Sequence, residues 1–157
     1  MIAAMTLLLC VTSALIGGLY LAFSTSVMPA LASRPPAQGV ATMQRINVVI
    51  LNPLFLGIFF GAALLSAACM GVAFFPWQLW RSVLLLAAGC LYLFASFGVT
   101  IACNVPRNEW LAGMRADSQE AVAYWPTYVR EWTRWNHLRA CASVASALCA
   151  ASALSLQ

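Results

Sequence analysis

Four stretches of this chain carry no Asp, Glu, Lys or Arg at all: Met1 to Ser33, Ile46 to Trp80, Ser82 to Pro106 and Ala140 to Gln157. Apolar runs of about 18 residues or more are long enough to cross a bilayer as a helix, and a water-soluble domain does not expose that much apolar surface. The spacing predicts spans at about residues 3–28, 48–75, 82–103 and 135–156, all within one domain of 157 residues. In lipid every backbone N–H and C=O must be bonded inside the protein, so the expected fold is all-α, an antiparallel four-helix transmembrane bundle. Ala30-Leu31-Ala32 resembles a signal-peptide cleavage site. No basic residue precedes the first run, however, and the run is too long for a secretory h-region, so it reads as a retained helix.

Charge is scarce and one-sided. Only 8% of residues are charged, against about 25% in a typical soluble domain. All but one of these charges fall in or beside the first and third loops; Arg81 stands alone in the second. Arginine is enriched on the cytoplasmic side of membrane proteins. The expectation is a multi-pass inner-membrane protein with loops 1 and 3 cytoplasmic and both termini outside. Trp77 and Trp80 are then expected at the outer interface, and Trp110 and Trp125 at the inner one. Gly57 and Gly61, one turn apart, and the small residues Ala142, Ser143, Ala145, Ser146, Ala150 and Ala151 are expected to let helices approach closely.

The composition excludes several chemistries. One histidine, His137, cannot build a bis-His haem or a two-His metal site within one copy of the chain. The six cysteines lack CxxC spacing and read as small apolar residues, which argues against a disulfide oxidoreductase. Proton-coupled exporters need an intramembrane carboxylate, and the first three spans contain none. No phosphate loop or Gly-x-Ser-x-Gly elbow is present. The charge is too sparse for a nucleic-acid surface. No metal and no tightly held cofactor are expected.

The remaining polar residues converge on one end. Alternating topology brings together the exit of the first span, the start of the second (Arg45, Asn47, Asn52), the exit of the third (Asn104, Asn108) and the approach to the fourth. At helical spacing Arg45 and Asn52 lie two turns apart on nearly one face, and the second span, Val48–Phe75, is about 42 Å long. Near the fourth span, Tyr128, Trp132, Trp135, Asn136 and Arg139 fall within an arc of about 100°, with Glu131 at its flank and His137 about 160° from Arg139. Singly, Arg139 reads as a snorkelling arginine and Glu131 as a surface partner for Arg134 or Arg130. Together they suggest an interior cavity, because polar residues at membrane depth are costly.

The succession Val27-Met28-Pro29-Ala30-Leu31, Met43-Gln44-x-Ile46-Asn47, Asn52-Pro53-x-Phe55, Asn104-Val105-Pro106-x-Asn108 and Trp132-x-x-Trp135-Asn136-x-x-Arg139 resembles the anthrone oxygenase-like family of small four-span membrane proteins. The resemblance implies oxidation of an anthrone to an anthraquinone by O2 without an evident cofactor. It implies aromatic walls from Phe55, Tyr128, Trp132 and Trp135, hydrogen bonds to an oxyanion from Asn47, Asn52 and Asn136, and positive charge from Arg139 or Arg45. Asn104 and Asn108 belong to the same polar end. The base is Glu131 or His137. The expected partners are membrane lipid, a hydrophobic aromatic molecule and O2; a homo-oligomer is compatible with the sequence.

The competing reading is a non-catalytic scaffold, partner subunit or lipid-binding protein whose polar cluster only pins helices together. An enzyme needs a cavity of a few hundred Å3; a structural cluster is collapsed on itself.

Overall fold

The computed structural model describes residues 1–156 and is an all-α bundle. Its helices are α1 (Ile2–Ala32), α2 (Pro36–Val49), α3 (Pro53–Val72), α4 (Leu79–Ala112) and α5 (Gln119–Leu154). All but α2 are long and apolar enough to cross a membrane. Contacts give the directions. Ser13 meets Ser146 while Tyr20 meets Asn136, so α1 and α5 run oppositely. Ser96 meets Ser143 while Asn104 meets Trp132, so α4 also opposes α5.

The spans differ from the expected ones at every polar-end boundary. Asn52 does not sit inside a long second helix: its backbone is extended (φ −91°, ψ 159°) and its Oδ1 accepts the Phe55 N–H at 3.0 Å. Asn at an N-cap followed by Pro at the first helical position is a strong start signal, so the chain breaks there into the 14-residue α2 and the 20-residue α3. Arg45 and Asn52 therefore share no helix face. The fourth span begins well before residue 135: Ser118 caps α5 by accepting the Ala121 N–H at 3.2 Å, Glu120 sits in the first turn, and the helix runs on through Pro126. At 1.5 Å per residue α5 is about 54 Å long and α3 about 30 Å, which matches the hydrocarbon core of a bilayer. The longer helices thus overhang α3, and α2 folds across the space it leaves.

Close approach occurs at glycines other than the pair expected. A Cβ on Gly17 would lie 2.9 Å from Val144 Cγ2, one on Gly39 2.7 Å from the Trp125 ring, and one on Gly89 2.9 Å from the Ser66 carbonyl. Gly57 and Gly61 have nothing nearby. Phe59, Ala62, Ser66 and Cys69 form the inward stripe of α3, and residues two positions from Phe59 point about 160° away from it. Ala142, Ser143, Ser146 and Ala150 are buried as expected, whereas Ala145 is only partly buried and Ala151 is exposed. Trp77, Trp80 and Trp110 are exposed, but Trp125 is not a belt residue: it is 3% exposed, stacked on Tyr128 and seated against Gly39.

Wide turns closed by i→i+5 hydrogen bonds occur at Phe23–Val27 in α1 and at Leu91–Gly98 and Thr100–Asn104 in α4. On α4, Tyr92, Ser96, Thr100, Asn104 and Asn108 recur every fourth residue. In a regular α-helix each such step rotates about 40° beyond a full turn. Wide turns hold more residues each, which keeps the row facing its partners.

Candidate functional site

Beyond the start of α3, the overhanging ends of α1 and α4 and the chain through Ile46–Leu51 enclose a cavity of about 410 Å3, within the usual range for small-molecule sites. Leu19, Tyr20 and Phe23 of α1, Phe55 of α3, and Trp132 and Arg139 of α5 line its interior. Asn47, Gln44, Thr100 and Asn108 supply polar groups. Val48, Leu51, Val105 and Glu109, all exposed, also line it.

Arg139 is 5% exposed. Its Nε donates to Asn136 Oδ1 at 2.9 Å and its Nη1 to Thr100 Oγ1 at 3.3 Å. Its guanidinium carbon stands 4.0 Å from the centre of the Tyr20 ring and 4.9 Å from that of Trp132. Aromatic faces stabilise a cation when water is excluded. No carboxylate pairs with it among the described residues, so the group holds an uncompensated positive charge beside the cavity. Snorkelling does not describe it.

Asn136 is the residue that orients this arginine. It is fully buried and does not line the cavity; its Nδ2 donates to the Tyr20 carbonyl and to Ser24 Oγ, each at 2.6 Å. These partners flank the start of the wide turn in α1, where a side chain entering the backbone ladder is a known cause of helix distortion.

Asn108 Oδ1 accepts from both the Tyr128 hydroxyl and Trp132 Nε1 at 2.8 Å, fixing two aromatic side chains. Asn104 Nδ2 donates to the Trp132 carbonyl at 3.2 Å. Gln44 Nε2 donates to the carbonyls of Leu111 and Met114 at 2.8 and 2.9 Å. It satisfies acceptors that a helix end leaves free and fastens α2 over the cavity. Asn47 Nδ2 is sealed from solvent without a hydrogen bond of ordinary geometry, in electrostatic reach of the Tyr128 hydroxyl.

Of the residues singled out from sequence, Asn47, Phe55, Asn108, Trp132 and Arg139 line the cavity, while Asn104, Tyr128 and Asn136 brace it from behind. The others are elsewhere. Glu131 pairs with Arg107 at 3.1 Å, and Trp135 packs beneath the same Arg107. His137 is exposed on the far face of α5, Arg45 is exposed on α2, and Asn52 is spent on capping α3. Sequence reasoning missed Tyr20, Phe23, Gln44, Thr100 and Glu109. The last two had a signal: Thr100 lies on the four-residue row with Asn104 and Asn108, and Val105, Asn108, Glu109 and Ala112 follow the spacing of one helical face. Among the described residues no group of three His, Cys, Asp or Glu could hold a metal ion.

A multi-pass integral membrane protein with an apolar cavity over a buried guanidinium at one end is the class these features define. The sequence profile of the anthrone oxygenase family matches residues 54–149, more than half of the chain, and the chain belongs to that family. The matched segment contains Phe55, Asn108, Glu109, Trp132 and Arg139; Gln44 and Asn47 precede it. No curated protein and no solved structure matches the chain.

Proposed function

We propose that the protein is an O2-using membrane oxidoreductase that takes a flat, electron-rich anthrone-type ketone into this cavity and oxidises it to the quinone. The observation that carries the reading is one apolar cavity lined by an uncompensated guanidinium, Arg139, and a carboxylate, Glu109.

An anthrone loses a proton from its ring CH2 to give an enolate whose negative charge rests on oxygen. Arg139, with the Asn108 amide, stabilises that oxyanion, the kind of preorganised charge that lowers such barriers most. Glu109 is the base. Glu131 and His137 have the chemistry for the task, but neither lines the cavity. The electron-rich ring carbon then forms a C–O bond with O2, and the resulting peroxide takes up a proton. Loss of the second C–H proton with cleavage of the O–O bond releases water and leaves the new carbonyl. One anthrone and one O2 give one quinone and one water.

Two further observations favour this over a purely structural cluster: the polar groups, though hydrogen-bonded to one another, border an open cavity instead of filling it, and exposed Val48, Leu51 and Val105 give that cavity an apolar approach suited to a lipid-soluble substrate. The arginine asymmetry supports an inner-membrane protein whose polar end is cytoplasmic.

The test follows O2 uptake by the purified protein given an anthrone. Glu109→Gln is expected to lower kcat by about 10²–10⁴, the usual worth of a general base, and Glu131→Gln to leave it within a few-fold. Equal rates for wild type and Glu109→Gln, or no uptake above buffer, overturn the reading.

A further inference from the structure

The opposite face of α5 carries a second concavity, which shares no lining residue with the first. Arg130, Thr133, Arg134 and His137 recur at three- and four-residue spacing, which gathers side chains on one helix face. They meet Ser24 and Met28 of α1 in a groove of about 400 Å3. The two ion pairs among the described residues, Arg107–Glu131 and Arg115–Asp117, leave both of these arginines without a carboxylate. Among the described residues Arg130 reaches only the Thr127 hydroxyl, at 3.5 Å. Thr133 Oγ1 is sealed from solvent with no hydrogen-bond partner, although a helical threonine commonly bonds back to the preceding turn. A buried hydroxyl left unpaired is costly; turned about its Cα–Cβ bond toward the groove, it would pair with an anion held by the neighbouring guanidiniums. Farther along α5 the same face continues through Val144 and Leu148, 41% and 64% exposed. A cationic end therefore grades into an apolar strip in which Val144 is partly covered by Gly17 of α1 and Leu148 is open.

We propose that this groove is a binding site for an anionic phospholipid: the phosphate lies against Arg130, Arg134 and Thr133, with His137 at its side, and an acyl chain follows the Val144–Leu148 strip. A phosphate alone would use the cationic end but not the strip, which is why the assignment is to a lipid. Basic pockets between membrane helices hold anionic head groups through this combination of charge and apolar burial.

The full-length chain in detergent is titrated with phosphatidylglycerol, phosphatidylcholine or inorganic phosphate, and bound molecules are counted by native mass spectrometry. Phosphatidylglycerol is expected to bind in preference to phosphatidylcholine. The double variant Arg130→Gln/Arg134→Gln is expected to weaken it roughly thirty-fold, the combined worth of two basic residues near an anionic surface. Thr133→Val gives a smaller loss, and Arg115→Gln, a cation in the distant loop, none. Equal binding by the double variant and wild type, or equal binding of the two lipids, overturns the proposal. Displacement of the lipid by inorganic phosphate at equal concentration also overturns it, in favour of a free-anion site. If the double variant fails to fold, Thr133→Val and Arg134→Gln singly carry the same comparison.

Discussion

The two ends of the bundle are built from the same four spans and packed in opposite ways. At one end the small side chains of Cys69, Ala73, Ala88, Ala150 and Ala153 close the interior around Leu9 and Leu85, and Ser146 bridges Ser13 and the Ala88 carbonyl. At the other, Tyr20, Phe23, Phe55, Trp132 and Arg139 hold the helices around a space of about 410 Å3. Small residues let backbones approach and leave no room. Large ones, set by the wide turns of α1 and α4 and by the short α3, cannot fill the gap they define. Function is sought where packing stops being efficient.

The largest expected effect breaks the polar end directly. Arg139→Met keeps the volume of the side chain and removes the positive charge; turnover of an anthrone is expected to fall by about 10²–10³, the cost of losing one preorganised oxyanion contact. Stability should fall too, by about 1–3 kcal/mol, because Asn136 Oδ1 is left buried without its donor. Arg139→Lys should recover little, since a point charge does not reproduce the planar guanidinium stacked on Tyr20 and Trp132. Full activity in Arg139→Met would make the polar end a packing defect and nothing more.

The tight part of the α1–α5 interface is probed by Gly17→Leu. Even a Cβ there would stand 2.9 Å from Val144 Cγ2 and 3.2 Å from the Val144 backbone nitrogen, so overpacking should cost about 1–3 kcal/mol in detergent unfolding. Gly61→Leu, which faces open space, should cost less than about 0.5 kcal/mol. Equal losses at the two positions would mean that the α1–α5 approach is not what sets the spacing of the bundle.

These outcomes also separate what the sequence made legible from what it hid. The spans were visible because charge-free runs have no other use at that length, and the inward arc of α5 followed from 100° per residue applied to Trp132, Asn136 and Arg139. The break at Ile50–Asn52 was hidden because Asn-Pro within an apolar run reads equally well as a kink or as a cap, and only the extended backbone of Asn52 decides it. Wide turns leave no residue-type mark, so the register of α4 could not be foreseen. Glu109 was passed over because its place depends on α4 continuing eight residues past Asn104, to Ala112. Trp125 looked interfacial because nothing local shows that Gly39 of α2 makes room for it.

Between the ends lies Asn136, whose amide ties α5 to α1 and orients Arg139. Asn136→Ala is expected to lower stability by about 0.6–1.7 kcal/mol, between the average and the largest value found for hydrogen bonds between membrane helices. Turnover should fall as well, through kcat more than KM, because the guanidinium is released and the cavity walls stay. An unchanged kcat would show that Tyr20, Trp132 and Thr100 orient Arg139 unaided.

The smallest effect belongs to an arginine at the same end but in water. Arg115 pairs with Asp117 at 3.2 Å in the loop before α5, with 84% and 68% of the two side chains exposed. The hydrogen bond and charge of Arg115 hold the Asp117 carboxyl below its ordinary value. A depressed folded-state value means that any stabilisation is complete above the ordinary carboxylate range and fades as pH falls through the lowered one. Exposed pairs are screened and contribute little. Asp117→Asn should therefore flatten the acid limb of a melting-temperature profile by an amount at the edge of detection, and added salt should erase even that. A large acid-side loss would place a charge of this loop in the folded interior, where at this end of the molecule the structure puts only Arg139.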